Sequence, residues 1–397
     1  MRTVLLVIIL CKSISLKAVV PTDSLVKGNT QFAFELFAQL DKTKNLFFSP
    51  YSISSALAMT YAGARSETAN QMSAVMHFEG ESNRFHSNFS NLSKEINSRN
   101  GSDVEISIAN RLFGDKRKKF ITEFQNVTSN LYSAPIEQVD FVKQLEKSRV
   151  RINNWVEEKT KDKIKELIKP QVLPDSTKLV LVNAIYFYGD WASQFEKDNT
   201  QKGKFFTTVS NEDECDLMYQ QSSFMYMEND DFKAIQMPYK GNQLSMEIYL
   251  PNKTDGLEEF TKTLSAANYR LWSESFEYSE VKLTLPKFKM TSDFSLGEML
   301  QDMGMKLAFS NDADFSGMTG KPELKISKVI HKAFVDVSEK GTEAAAATAV
   351  IMTMVDSVAP EPAVPKVFTA DHPFFFIIRD NGTGSILFMG QLIDPVE

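Results

Sequence analysis

Residues 341–350 of this 397-residue chain read GTEAAAATAV, a run of small side chains near the C-terminus. Alanine is the best helix former and a poor strand former, so composition alone favours a helix. The run also fits a strand, because a period of two places Glu343 on one face and only small or apolar, uncharged side chains on the other. No proline occurs between Gly341 and Ala359, so every backbone N–H there is free to join a sheet. The segment can therefore become a strand in the middle of a sheet.

The residues on either side decide between helix and strand. Upstream lies Ile330-His331-Lys332-Ala333, and downstream lie Ala370-Asp371-His372-Pro373-Phe374 and the sequence SILFMG at 385–390. This succession resembles the hinge, the reactive-centre loop and the C-terminal strands of the serpins, a family of serine protease inhibitors. Two further segments, NLFFSPYSISSAL at 45–57 and LVNAIYF at 181–187, resemble the family's early buried helix and the third strand of its main sheet.

The resemblance extends from about Leu25 to Pro395 and implies the family's fold over that length. We expect an α+β serpin fold with three β-sheets, about eight or nine helices and an exposed reactive-centre loop. No linker or internal repeat interrupts the chain, so residues 25–397 are expected to form a single serpin domain with the loop at about 339–366.

Local patterns predict several elements independently of the resemblance. Ser49 followed by Pro50 is typical of a helix N-terminus, and Gly63 stands where that helix should end. The stretch from Lys178 to Tyr188 is apolar on both faces, which indicates a central covered strand. Asn381-Gly382 between two apolar runs predicts a hairpin. Charged and apolar residues from 149 to 168 predict another helix.

Several polar positions acquire a role through the resemblance. It implies that Ser52, Ser55, Asn183 and His331 form a buried cluster, the shutter, beneath the point where the central strands separate. Alternation independently predicts that His331 faces inward, because it shares parity with apolar neighbours. Trp191 matches the breach, where the loop begins to insert. Such a cluster sets the barrier to strand separation, since opening it leaves buried polar groups unpaired.

The resemblance also implies a mechanism. A protease cleaves the loop and forms an acyl-enzyme, and the freed loop then inserts into the main sheet. The hinge of this movement comprises Gly341, Thr342, Glu343, Ala344, Ala345, Ala346, Ala347 and Thr348. The scissile bond of the family lies about fourteen residues past the hinge glycine, which gives Val355–Asp356 here, with Met354–Val355 as second choice.

The loop composition indicates the class of target protease. No lysine or arginine occurs between Gly341 and Lys366, so a trypsin-like enzyme, which needs a basic residue, is not expected. Val355 or Met354 suits an elastase-like or chymotrypsin-like pocket, and Asp356 would suit an aspartate-specific protease. A non-inhibitory serpin acting as a carrier or chaperone is the alternative, although the hinge lacks the proline or bulky side chains expected of one.

The N-terminus has the pattern of a signal peptide. Met1-Arg2-Thr3 precedes a short apolar run, and residues 1–18 are expected to be cleaved from a secreted protein. An uncleaved N-terminal segment of a cytosolic serpin is the alternative. Cleavage would remove Cys11 and leave Cys215 without a disulfide partner. Six sequons are candidate glycosylation sites in a secreted protein: Asn88, Asn91, Asn100, Asn126, Asn252 and Asn381.

Other classes of function find no support in the sequence. The four histidines show no metal-binding spacing, no nucleophile motif is present, and the net charge of −7 argues against a nucleic-acid partner. We therefore expect a monomeric inhibitor, not an enzyme, without metal, cofactor or membrane partner. The basic run Lys116-Arg117-Lys118-Lys119 is a candidate for a heparin-like polyanion site, with a solvated turn as the favoured interpretation.

Overall fold

The computed structural model describes residues 23–80, 82–342 and 364–396. These ranges contain ten α-helices: α1 Asp23–Gln39, α2 Pro50–Tyr61, α3 Ser66–Met76, α4 Ser82–Asn97, α5 Thr122–Asn130, α6 Leu145–Lys159, α7 Leu257–Thr263, α8 Ala266–Ser273, α9 Gly297–Asp302 and α10 Ser316–Thr319. Short 3-10 helices lie at Lys197–Asn199 and Leu307–Phe309.

Fifteen strands lie in the same described ranges: β1 Leu46–Phe48, β2 Val104–Asp115, β3 Glu137–Val139, β4 Leu179–Asp190, β5 Gln201–Phe205, β6 Asp213–Glu228, β7 Phe232–Pro238, β8 Leu244–Pro251, β9 Glu277–Pro286, β10 Phe288–Ser295, β11 Lys328–Val337, β12 Gly341–Thr342, β13 Lys366–Thr369, β14 Phe374–Asp380 and β15 Ile386–Leu392.

The strands form two continuous sheets. The main sheet has the order β10-β11-β12-β4-β2-β3, and the second sheet has the order β1-β15-β14-β8-β7-β6-β9-β13, with β5 paired to β6. Three separate sheets were expected. Two are observed because β6 is sixteen residues long and hydrogen-bonds to β5, β9 and β7 along its length, which joins two groups of strands into one ladder.

Strand β4 has apolar neighbours on both faces, as its sequence predicts. Leu181, Ile185 and Phe187 belong to the larger core, which also contains α1, α2 and the second sheet. Val180 and Val182 belong to a smaller core with Trp155 and Val156 of α6. Helix α6 therefore covers one face of the main sheet, and the rest of the molecule covers the other.

Helix α2 begins where the sequence predicts. The Ser49 side chain accepts a hydrogen bond from the Ser52 backbone N–H at 3.1 Å, and Pro50 occupies the first helical position. The helix ends at Tyr61, two residues before Gly63. Close packing requires that glycine, because a Cβ there would lie 2.2 Å from Cγ of Met318. The helix predicted over 149–168 ends earlier, at Lys159, where Lys161 and Asp162 adopt positive φ.

Candidate functional site: the upper end of the main sheet

Two parallel strands of the main sheet, β4 and β11, separate at their C-terminal ends, which we call the upper end of the sheet. A two-residue strand, β12, lies between them there. β4 and β11 pair directly from Val180 opposite Lys328 to Tyr186 opposite Phe334. Above that level β12 lies between them, with Thr342 opposite both Gly189 of β4 and Val337 of β11. The first two residues of the expected hinge are thus already strand residues inside the sheet.

Gly341 and Thr342 fit this position closely. A Cβ on Gly341 would lie 2.0 Å from the carbonyl oxygen of Gly189, so only glycine allows the two backbones to approach this far. Thr342 is fully buried, and its hydroxyl hydrogen-bonds to the hydroxyl of Tyr239 at 2.8 Å. The Thr342 side chain therefore faces the larger core.

Trp191 holds the turn that leads from β11 into β12. Its ring stacks on Tyr239 with centroids 4.6 Å apart, and its Nε1 donates to the carbonyl of Ser338 at 3.0 Å. Its backbone N–H donates to the carbonyl of Lys340 at 2.8 Å. The residue assigned to the breach is therefore in direct contact with the start of the loop.

Glu339, at the beginning of the expected loop, is held by two side chains other than Trp191, namely Lys287 and Thr200. Its Oε1 lies 3.1 Å from Nζ of Lys287 and accepts a hydrogen bond from Thr200 at 3.0 Å. Burial raises the pKa of Glu339, but hydrogen bonds from its own backbone, Lys287 and Thr200 outweigh that effect and bring the pKa below its ordinary value. The carboxylate stays charged and anchors the turn.

Lower in the sheet, a row of polar side chains crosses three neighbouring strands. Asn110 of β2 lies opposite Asn183 of β4, and Asn183 lies opposite His331 of β11. The Asn183 amide donates to the Ser52 hydroxyl at 2.5 Å and to Oδ1 of Asn110, and its Oδ1 hydrogen-bonds to Nδ1 of His331. We call Ser49, Ser52, Asn110, Asn183 and His331 the shutter cluster.

His331 is fixed in one neutral tautomer. Nε2 accepts from the backbone N–H of Ser49 at 3.2 Å, so the ring proton sits on Nδ1 and is donated to Asn183. The ring is fully buried, and this burial lowers the pKa of His331 to about 3. A second ring proton would point at the Ser49 N–H, a donor, so the site disfavours the charged form.

The structure brings together Ser52, Asn183 and His331 but not Ser55. Ser55 lies on α2 only half buried, and no hydrogen bond from its side chain to the shutter cluster is seen in the described part of the chain. Ser49 and Asn110 take part instead. Ser49 was identifiable as a helix cap, whereas Asn110 becomes a candidate only when the register of β2 against β4 is known.

Other predicted residues fall outside the described residues or outside this site. The range 343–363, which the structure does not describe, contains most of the hinge and both candidate bonds: Glu343, Ala344 to Ala347, Thr348, Val355–Asp356 and Met354–Val355.

The basic run is paired with acidic side chains. Lys116 pairs with Asp140 at 2.9 Å, Arg117 with Asp115 at 2.8 Å and Lys118 with Glu323 at 2.8 Å. These pairs fit a structured turn better than a polyanion site.

Within 23–80, 82–342 and 364–396, no group of His, Cys, Asp and Glu side chains is placed to hold a metal ion. In the same ranges, no helix is both long enough and apolar enough to cross a membrane. Burial raises the pKa of the free thiol of Cys215 to about 11, so it remains protonated.

Comparison with known proteins identifies the family. The family model described as Serpin (serine protease inhibitor) matches residues 27–395, and the chain belongs to this family. Human Serpin B4 is 41% identical over 94% of this chain and all of its own length, and the leukocyte elastase inhibitor of Xenopus laevis is 42% identical with the same coverage.

Solved structures agree with the family assignment. Human thyroxine-binding globulin, solved in complex with thyroxine, superposes with a TM-score of 0.86 at 30% identity, covering 95% of this chain and all of that one. Uncleaved ovalbumin gives 0.85 at 29% identity, covering 94% of this chain and all of that one. The expected α+β serpin fold is confirmed, and so is the expectation of a protease inhibitor in place of an enzyme.

The same relatives correct the expected localisation. The prediction of a secreted protein is wrong, because Serpin B4, Serpin B3, Serpin B6 and the leukocyte elastase inhibitors belong to the intracellular B clade of serpins, which lack signal peptides. Signal cleavage and glycosylation depended on secretion and are not supported either.

Removing the central amide of the shutter cluster should destabilise the protein. Asn183→Ala deletes the donor to Ser52 and the acceptor for His331, leaving buried groups unpaired at a cost of about 2 kcal/mol. We expect a clearly lower thermal midpoint by circular dichroism. Ser55→Ala, on the neighbouring turn of α2, is the matched control and should change stability by less than ~0.5 kcal/mol. Equal effects of the two substitutions would contradict the assignment of the cluster.

The neutral state of His331 predicts a pH dependence of stability. The pKa of His331 is about 3 in the folded protein and about 6.5 in the unfolded chain. The contribution of neutral His331 to the free energy of unfolding is therefore complete above pH 6.5 and is lost as the pH falls toward 3. The slope in that window is at most about 1.4 kcal/mol per pH unit. Urea denaturation at several pH values should show a shallower decline for His331→Gln than for the wild type. Parallel curves would exclude His331 as the source.

Proposed function

We propose that this serpin inhibits an elastase-like or chymotrypsin-like serine protease by trapping the enzyme as a covalent acyl complex. The observation that carries the proposal is β12: Gly341 and Thr342 already pair with both β4 and β11. A cleaved loop needs only to continue this strand downward. The relatives named leukocyte elastase inhibitor favour the same class of target.

The chemistry begins as an ordinary proteolytic step. The serine Oγ of the protease attacks the carbonyl carbon of Val355, the bond from that carbon to the nitrogen of Asp356 breaks, and the nitrogen takes up a proton. An ester then joins Val355 to the enzyme. Hydrolysis of this ester would release the protease, so inhibition requires that insertion of the loop is faster than hydrolysis.

Insertion means adding a strand between β4 and β11. The direct ladder between Val180–Tyr186 and Lys328–Phe334 must open, and the bond between His331 and Asn183 lies within it. New backbone hydrogen bonds on both sides of the inserted strand replace the lost ladder. From Thr342 to Val355 the added chain extends about 45 Å at ~3.3 Å per residue, far enough to carry the enzyme to the other end of the sheet.

The direction of Thr342 supports the fit of the inserting segment. Its hydroxyl faces the core and contacts Tyr239. A strand continued from this position places every second residue on the same face, namely Ala344, Ala346, Thr348 and Val350, while Glu343 points the other way. The core-facing side chains of the inserted strand are then small or uncharged.

A carrier function is the rival proposal, since a thyroxine-binding globulin is among the structural neighbours. The two functions differ in the product formed with a protease. Incubation with neutrophil-type elastase or chymotrypsin followed by a denaturing gel should show an adduct that survives denaturation. Simple cleavage of the loop without any adduct would favour the carrier.

A charge at Thr342, which is already buried in β12, should convert the inhibitor into a substrate. Thr342→Arg would place an unpaired guanidinium against Tyr239, which should expel β12 from the sheet. Insertion would then have to start without this strand and would become slower than hydrolysis of the acyl-enzyme. We expect the adduct band to be replaced by cleaved protein. Thr342→Ser keeps the hydroxyl and small size and should still form the adduct. Undiminished inhibition by the arginine variant would contradict the proposed insertion path.

The residue before the scissile bond should determine which protease is trapped. Val355→Arg is expected to abolish the adduct with elastase and create one with trypsin, because a trypsin-like pocket carries an acid that binds a basic residue. Mass spectrometry of the peptide released from the wild type should give residues 356–397. A peptide beginning at Val355 would move the bond to Met354–Val355, and unaltered specificity of the arginine variant would exclude Val355 as the recognised residue.

A further inference from the structure

A cavity of about 540 Å³ lies where four helices meet, between the C-terminal end of α2, the first turns of α3 and α4, and α5. Its apolar lining includes Tyr61 and Phe124, and its polar lining includes Arg65 and His86. A concave site of this size, mostly apolar with a few polar groups, has the character of a small-molecule site.

His86 leaves one buried polar atom without a partner. The side chain is 2% exposed, and its Nδ1 hydrogen-bonds to the hydroxyl of Tyr132 at 2.7 Å. Among the described residues that hydroxyl has no other acceptor, so it donates to Nδ1, and the neutral ring carries its own proton on Nε2. Nε2 has no hydrogen-bond partner in the described part of the chain. An unpaired buried N–H costs free energy, so the site favours an acceptor here.

The unpaired N–H is left for the cavity. The two nitrogens of an imidazole point in nearly opposite directions, and the Nδ1 edge of His86 is taken by Tyr132, which does not line the cavity. Burial, and then the positive charge of Arg65, lower the pKa of His86 to about 4. The ring therefore stays neutral near pH 7 and offers a donor on the side of Arg65.

Arg65 brings a positive charge to the same cavity. Its Nη1 donates to the carbonyls of Ala62 and Ala64 at 3.0 and 2.7 Å, and the guanidinium packs against Gly317, where a Cβ would lie 2.4 Å from Cζ. Across 23–80, 82–342 and 364–396, Arg65 forms no ion pair with a carboxylate. A held guanidinium without an anionic partner is a ready site for a carboxylate.

The acidic groups nearby limit the charge of a ligand. Glu123 also lines the cavity and repels a second negative charge. Asp314, on the other side of Arg65, already accepts hydrogen bonds from the Ser66 hydroxyl at 3.1 Å and the Ser316 backbone N–H at 3.0 Å. The cavity therefore suits one carboxylate better than a phosphate or a dicarboxylate.

We propose that this cavity binds a small monocarboxylic acid with an apolar body, a function separate from the inhibition of a protease. The carboxylate accepts the Nε2–H of His86 and pairs with Arg65, and the apolar body packs against Tyr61 and Phe124.

Calorimetric titration of the whole protein with 2-naphthoate tests the site. For a ligand of about 13 non-hydrogen atoms we expect a dissociation constant below about 1 mM. The uncharged 2-naphthamide should bind at least ~10-fold more weakly, because it cannot pair with Arg65. Arg65→Gln should weaken binding of the acid by about 10-fold or more. Arg84→Gln, an exposed arginine of α4 outside the cavity lining, is the matched control and should bind as the wild type does.

Two further variants test the buried donor and the cavity itself. His86→Phe should weaken binding by about 10-fold, whereas Tyr132→Phe, which removes the same hydrogen bond to Nδ1 but keeps the Nε2–H, should not. Ala69→Phe fills the cavity from α3 and should abolish binding. Thermal midpoints establish that each variant is folded, and if His86→Phe is not, Arg65→Gln and Ala69→Phe decide. Absence of binding by the wild type at several millimolar acid, or equal binding of the acid and the amide, would overturn the proposal without affecting the proposed inhibition.

Discussion

The functional end of this molecule depends on the separation of two parallel strands, β4 and β11, by the short strand β12. The separation is possible because Gly341 lacks a Cβ where the Gly189 carbonyl approaches it. Trp191 and Glu339 fix the turn above this point from two sides, through the Ser338 carbonyl and through Lys287. The upper end of the sheet is thus open and ordered, while the ladder below it is closed.

What keeps the lower ladder closed is a set of buried polar groups. The row formed by Asn110, Asn183 and His331 crosses three strands, and α2 joins it through the Ser52 hydroxyl and the Ser49 backbone N–H. Each member depends on the others, since a buried donor or acceptor without a partner costs free energy. The same bonds that stabilise the closed sheet therefore oppose its opening, and a helix outside the sheet contributes to that barrier.

Much of this arrangement is readable from the sequence. Ser49-Pro50 gives the start of α2, the two apolar faces of residues 178–188 give a central β4, and the parity of His331 gives its inward direction, because each depends only on local chemistry. The membership of Asn110 and the exclusion of Ser55 depend on strand register and helix rotation, which local patterns do not contain. The end of α6 depends on left-handed backbone at Lys161 and Asp162, residue types that helices also tolerate.

The presence of β12 has a kinetic consequence for any strand added below it. Forming a new ladder from a free loop normally requires an unfavourable nucleus, in which chain entropy is lost before hydrogen bonds compensate for it. Here the nucleus exists in the uncleaved protein, since two residues are already registered against both neighbours. Growth can then proceed one residue at a time from a single end. Its speed is governed by how fast β4 and β11 separate, and no search for the correct alignment is needed.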